Sequence, residues 1–338
     1  MKKAFILLFC LSVGPAIAKP ADPFETYAFG LFSRTARTLT NENVIFSLPA
    51  LRSDMDVLFG ASGTPGRSAL AEETGFKAGM LPPITEDTRA LWNSACQVSN
   101  SLLIPSGIPI KQAQTKDLPI RTSSSVSSVV LSSASLFDFR FSAFLGEILV
   151  KPVRFASPTG LKPVQGYQFN GFYSYYNTTQ IQAVSLPDDS GRFTLILARP
   201  GPAGSVTQLY EGLSTERIAE WSTRTTEAEG YIFFPTLTRQ FETRPYTAFK
   251  PAGLGKFFKP KSADFSRMSG SPLYLGDYLH RIRINFRQTD EPPLPAYDDP
   301  RTFKPHEFFN FIADGPFLVV LRDTRNGSIL LIGLVRDP

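Results

Sequence analysis

Two histidines, His280 and His306, two cysteines, Cys10 and Cys96, and scattered serines are the side chains best suited to metal or nucleophilic chemistry here. Neither histidine has a second histidine or cysteine at helical spacing, as a zinc site of the H-E-x-x-H kind on one helix needs. No G-x-S-x-G turn, Walker sequence or strand-linked G-x-G-x-x-G occurs, so the common hydrolase, nucleotide and dinucleotide signatures are absent. An enzyme would need catalytic residues converging from distant positions. The residues favour a protein that is not an enzyme and that holds neither metal nor cofactor.

Residues 1–18 carry Lys2, Lys3, an apolar stretch over 4–13 and the small-residue end Ala16-Ile17-Ala18. This is the pattern of a signal peptide, too short to span a membrane once processed. A secreted or periplasmic protein starting near Lys19 is expected, with residues 19–338 as one domain. Cys10 leaves with the leader, so Cys96 has no partner for an internal disulfide and is expected to be a buried small hydrophobe. Formal net charge is +5, yet residues 239–287 hold ten Lys/Arg against Glu242, Asp264 and Asp277. That basic region is a solvated set of loops and strand faces, or a surface for a polyanion. No nucleic-acid partner and a monomeric state are expected.

Residues 311–335 read FIADGPFLVVLRDTRNGSILLIGLV, two apolar runs around the turn chemistry of Asp323-Thr324-Arg325-Asn326-Gly327. Runs without polar alternation are buried on both faces, so this hairpin should be central. Upstream, 24–38 has apolar residues near three-four spacing and predicts an amphipathic helix. Residues 84–95 predict a second helix, and 213–221 a short one capped by Ser214. Strands are predicted over 96–104 and 129–141, and over 173–200 as a pair around the turn 187–191.

The terminal pattern F-x-A-D-x-P-F-L-x-x-x-R-D-x-x-x-G-S-I-L-x-x-G-x-V resembles the C-terminal signature of the serpins. Asn43, Ser47, Gly60, Ala61, Gly63 and Thr64, the 213–221 helix, Leu254-Gly255 and residues 263–269 are similar to further serpin motifs. The likeness is to a divergent, shortened and bacterial member. It implies an α+β single domain with a large mixed sheet, smaller sheets and surrounding helices. It also implies a polar cluster of Ser47, Ser133 and His280 under the main sheet. Ala50, Ser133 and Phe141 depart from the family's serine, asparagine and tryptophan. Residues 112–127 are sixteen where serpins place two helices and a strand, so the helix covering the front of the main sheet should be missing. Ser132, Ser133 and Ser135 are expected to lighten the apolar load of that bared front.

The resemblance also makes residues 288–308 the reactive loop. A serpin inhibits by letting a protease cut this loop, whose first half then inserts into the main sheet, and insertion calls for a hinge of small residues. Register from His280 places Asp290 and Glu291 at the family's glycine and threonine, and Pro292, Pro293 and Pro295 within its alanine run. Proline has no N–H for a ladder, and a buried unpaired carboxylate opposes entry. The nearest cleavable bond is Arg301-Thr302, since Pro305 protects Lys304. Two readings follow: a non-inhibitory binding protein of serpin descent, or an inhibitor of a serine or cysteine protease acting near Arg301.

Overall fold

Side-chain patterning sorts the chain into two sheets with helices packed along them. The computed structural model describes residues 22–76, 84–112, 117–142, 145, 148–237, 240–245, 253–287 and 308–338. In chain order the elements are α1 (Pro23–Thr38), β1 (Val44–Ser47), α2 (Leu48–Ala61), α3 (Thr64–Glu73), α4 (Glu86–Ala95), β2 (Cys96–Pro105), β3 (Ile120–Ser123) and β4 (Val129–Arg140). There follow β5 (Leu149–Ser157), β6 (Gly160–Asn177), β7 (Ile181–Pro187), β8 (Phe193–Pro200), α5 (Val206–Tyr210), α6 (Thr215–Thr223), β9 (Thr226–Pro235) and β10 (Gln240–Thr243). A 3-10 turn (Gly253–Phe258), β11 (Leu275–Arg287), β12 (Phe309–Ile312), β13 (Phe317–Asp323) and β14 (Ile329–Val335) complete the α+β architecture. The expected leader, 1–18, lies outside the described residues.

The terminal hairpin takes the central place its apolar runs require. β13 and β14 pair antiparallel inside the nine-stranded sheet, with β8 on one side and β1 on the other. Gly327 turns the hairpin at φ +74, a conformation other residues resist. The chain end is tied back to α1: the Arg336 guanidinium donates to the carbonyls of Ala36 and Leu39, which the helix C-terminus leaves open, and to that of Glu42 in the turn beyond it.

The second sheet runs β10-β11-β4-β2-β3. Here β4 and β11 are parallel neighbours in register from Leu275/Val129 to Arg287/Arg140. Thr243 joins the two sheets, its hydroxyl accepting from the N–H of Ile45 on β1 and donating to the Ile45 carbonyl. α2 packs inside, against β2 and β4.

Two expectations need correction. Residues 112–127 are not a bare connection: Ile120–Ser123 forms β3, parallel to β2, and extends the sheet edge without covering its front. Within 231–241, Pro235 ends β9 in one sheet and Gln240 begins β10 in the other. Of the three serines on β4, the two-residue period turns only Ser132 outward, while Ser133 and Ser135 are buried. Among the described residues no helix lies on the outer face carrying Ser132, Ala134, Leu136, Asp138 and Arg140 of β4. None is long and apolar enough to cross a membrane.

Candidate functional site

The sheet around β4 and β11 gathers Ser47, Ser133 and His280 at one buried point, each at most 1% exposed. Ser47 ends β1 and caps α2, its side-chain oxygen accepting from Ala50 N–H. That leaves its own N–H to donate to Nε2 of His280 at 2.9 Å. With Nε2 accepting, the neutral imidazole carries its proton on Nδ1, which faces Ser133 Oγ at 2.9 Å. His280 and Ser133 are register partners on β11 and β4, so this bond lies across the seam.

Two further residues of the cluster are invisible to motif matching. Asp54 on α2 is fully buried and accepts from the Tyr278 hydroxyl at 2.7 Å, and its Oδ2 lies 3.8 Å from His280 Nδ1. Its Oδ1 has no hydrogen-bond partner among the described residues. Burial, and after it the Asp54 charge, holds the Tyr278 phenol well above its ordinary range. The signal was available in one respect: Asp54 sits at the core position of the helical series Leu51, Met55, Leu58, where a carboxylate is out of place.

Serine, histidine and aspartate together suggest a hydrolytic relay, which this geometry cannot run. Ser133 and Asp54 both approach Nδ1, whereas a relay sets them on opposite ring nitrogens, and the Ser47 N–H already fills Nε2. The cluster is also sealed from solvent. Cys96 is equally inert, buried on β2 with its thiol pushed up to about 12 by desolvation.

Above the cluster the seam stays shut to its end. Phe141 N–H donates to the Arg287 carbonyl at 2.9 Å, one residue past the last registered pair. Phe141 stacks on Phe286 across the seam at 5.5 Å, with Phe139, Tyr167, Phe169 and Phe234 around them. A chain leaving β11 at Arg287 and turning back would run antiparallel to its neighbours. Since β10 fills one flank of β11, the β4–β11 seam is the slot beside it.

The hinge residues Asp290, Glu291, Pro292, Pro293 and Pro295, the bond Arg301-Thr302 and His306 lie outside the described residues. Of the loop 288–308 only Phe308 is described, and it is exposed. The basic region proves less free than its count. Arg244 and Arg281 both pair with Glu242, Arg244 also reaches Asp277, and Arg287 pairs with Asp138. Arg239 and Lys250 are not described.

Comparison with known proteins agrees with this geometry. The family model "Serpin (serine protease inhibitor)" matches residues 154–338. The chain belongs to the serpin family. Serpin H1 of Gallus gallus is 26% identical over 173 residues, 50% of this chain and 42% of that protein. Leukocyte elastase inhibitor of Xenopus laevis is 27% identical over 173 residues, 49% and 45% of the two chains. The match thus spans less than half the length of these relatives. Native protease nexin-1, solved with heparin, superimposes with a TM-score of 0.76 at 15% identity, covering 94% of this chain and 98% of that one. Maspin does so with 0.72 at 16% identity over the same shares. These two likenesses concern the fold.

Proposed function

We propose that this is an exported, monomeric serpin-family protein that binds a partner protein through residues 288–308 and does not trap it. The observation that supports this most is the β4–β11 seam, bonded from Leu275 to Arg287 and closed at its top by Phe141 and Phe286. Insertion would have to break that ladder and the His280–Ser133 bond, and the sequence offered in exchange is Asp290-Glu291-Pro292-Pro293. Each proline leaves an acceptor short by roughly 1 kcal/mol, and an unpaired buried carboxylate adds more.

The alternative, a working serine or cysteine protease inhibitor with its cleaved bond at Arg301-Thr302, differs in one outcome. Incubated with trypsin, the chain should be cut at Arg301-Thr302 as a substrate and give no band of summed mass on denaturing electrophoresis. A denaturant-resistant covalent complex would replace the first reading with the second.

A further inference from the structure

Arg244, Arg281 and Arg287 meet acids on their own sheet, whereas the cations that precede β11 do not. Lys256 stands in the 3-10 turn, Lys259 and Lys261 flank Pro260 in the turn that follows, and Arg267 lies in the next turn. None of these four has an ion pair among the described residues. Lys111 comes to the same corner, its Nζ donating to the Ser266 carbonyl at 2.7 Å, and α3 packs against the 3-10 turn with Arg67 in its first turns. The carboxylate set among them, Asp264, is already engaged by Gly66 N–H and by the N–H and hydroxyl of Ser266.

The corner is firmly mounted. Leu254 and Phe257 of the 3-10 turn are buried beside Leu275 and Tyr278 of β11, and Phe265 packs edge-on to Phe257 at 5.6 Å. Lys259 N–H donates to the Lys256 carbonyl at 3.1 Å and Ala263 N–H to the Lys259 carbonyl at 3.0 Å, which closes the backbone of the lysine turn on itself. Every residue from Lys259 to Ser262 is exposed. The lysines therefore stand on an outward turn whose apolar footing lies beneath them. From this corner β11 runs 13 residues to Arg287, where the loop 288–308 leaves, so corner and loop start are about 40 Å apart at opposite ends of the sheet.

We propose that Lys256, Lys259, Lys261 and Arg267 form a docking surface for a bilayer with anionic phosphate headgroups, which holds the protein by this corner with the loop end turned away from the lipid. A small anion, or one carboxylate of a partner protein, is recognised by donors that converge on it from set directions. Lysine ammonium groups are point charges on flexible stems, so cations spread around an outward turn suit a plane of repeated charge. Each adds its own attraction to such a plane, and the attraction fades within a Debye length, so only the end of the molecule that carries them is drawn in. This docking does not depend on whether the loop traps its partner.

The test is cosedimentation of the full chain with vesicles of phosphatidylcholine and phosphatidylglycerol in a two-to-one ratio, with vesicles of phosphatidylcholine alone as the neutral control. Binding is expected to the mixed vesicles only, and should weaken as salt is added. The double change Lys259→Gln with Lys261→Gln should weaken it roughly 25-fold, about five-fold for each lysine. Arg283→Gln removes an exposed charge, likewise without an ion pair among the described residues, from the outer face of β11 and should change binding less than about two-fold. Equal binding to neutral vesicles, an equal loss from Arg283→Gln, or tight binding of soluble dextran sulfate with none of the vesicles would each overturn the docking corner, the last by making a polymer the ligand. With the chain on vesicles, trypsin should cut Arg301-Thr302 as fast as in solution, and slowed cutting there would overturn the orientation.

Discussion

The terminal hairpin and the β4–β11 seam lie on either side of Ser47, and they are held by opposite means. Every residue of β13 and β14 is buried; over 317–321 and Ile329–Val335 both faces are fixed by apolar contact that neither pH nor salt reaches, and only Arg322 and Asp323 at the turn end are held by polar bonds. β4 alternates buried and open positions, its inner side carrying a hydrogen-bonded cluster around a sealed carboxylate and its outer side ion pairs. The side chains of the hairpin hold by many weak, non-directional contacts, whereas the seam, apolar at its ends, carries a few directional ones in its middle. A local change should therefore weaken the hairpin in proportion to volume removed, and the seam according to which partner is left unpaired.

The largest effect should come from the hairpin. Ile332 faces Phe46 and Val320 across its two neighbours and is fully buried. Ile332→Ala should lower stability by about 2–5 kcal/mol in urea unfolding. A loss under 1 kcal/mol would mean the hairpin is not the rigid half. In the seam, Tyr278→Phe leaves Asp54 without its hydroxyl donor and should cost about 1–3 kcal/mol. The double change Asp54→Ala with Tyr278→Phe removes both partners and should cost less than Tyr278→Phe alone. If the double variant loses the sum of the two single losses, Asp54 and Tyr278 do not act as a pair.

A smaller effect separates polar contacts that titrate. Asp264 accepts from Gly66 N–H at the start of α3 and from Ser266. Burial pushes its carboxyl up, but these hydrogen bonds outweigh it and hold the group below the ordinary carboxylate range. Its contribution is present above the unfolded-state value and is lost as the pH falls through the depressed folded one. Asp264→Asn should thus destabilise by less than about 1 kcal/mol at neutral pH, given solvent screening, and by nothing near pH 2. A constant difference across that range would remove the charge from the explanation.

The contrast between the two regions also explains what could be read from sequence. An unbroken apolar run has one physical outcome, so the hairpin and its central place followed from residues 317–335. Helix ends were readable for the same reason, Ser214 capping α6 by accepting from Arg217 N–H. Polar placement was harder. Ser132 and Ser133 differ by one position, and only the register of a strand says which faces inward. Asp54 and Tyr278 are 224 residues apart, and no local pattern joins them. β3 was missed because Ile120 is its one apolar residue. That no described helix covers the outer face of β4, by contrast, followed from the serpin resemblance with simple arithmetic: sixteen residues cannot make the two helices serpins place there.

The closed seam is tested most directly by the melting temperature of the chain before and after trypsin cuts Arg301-Thr302. An inserting loop would add a central strand with a full ladder and raise the temperature of melting. With Asp290 and Glu291 entering first and Pro292, Pro293 and Pro295 behind them, the nicked protein should melt at the same temperature as the intact one or below it. A clear rise after the cut would show that the β4–β11 seam opens and accepts the loop, and would contradict the proposal that this serpin binds its partner without trapping it.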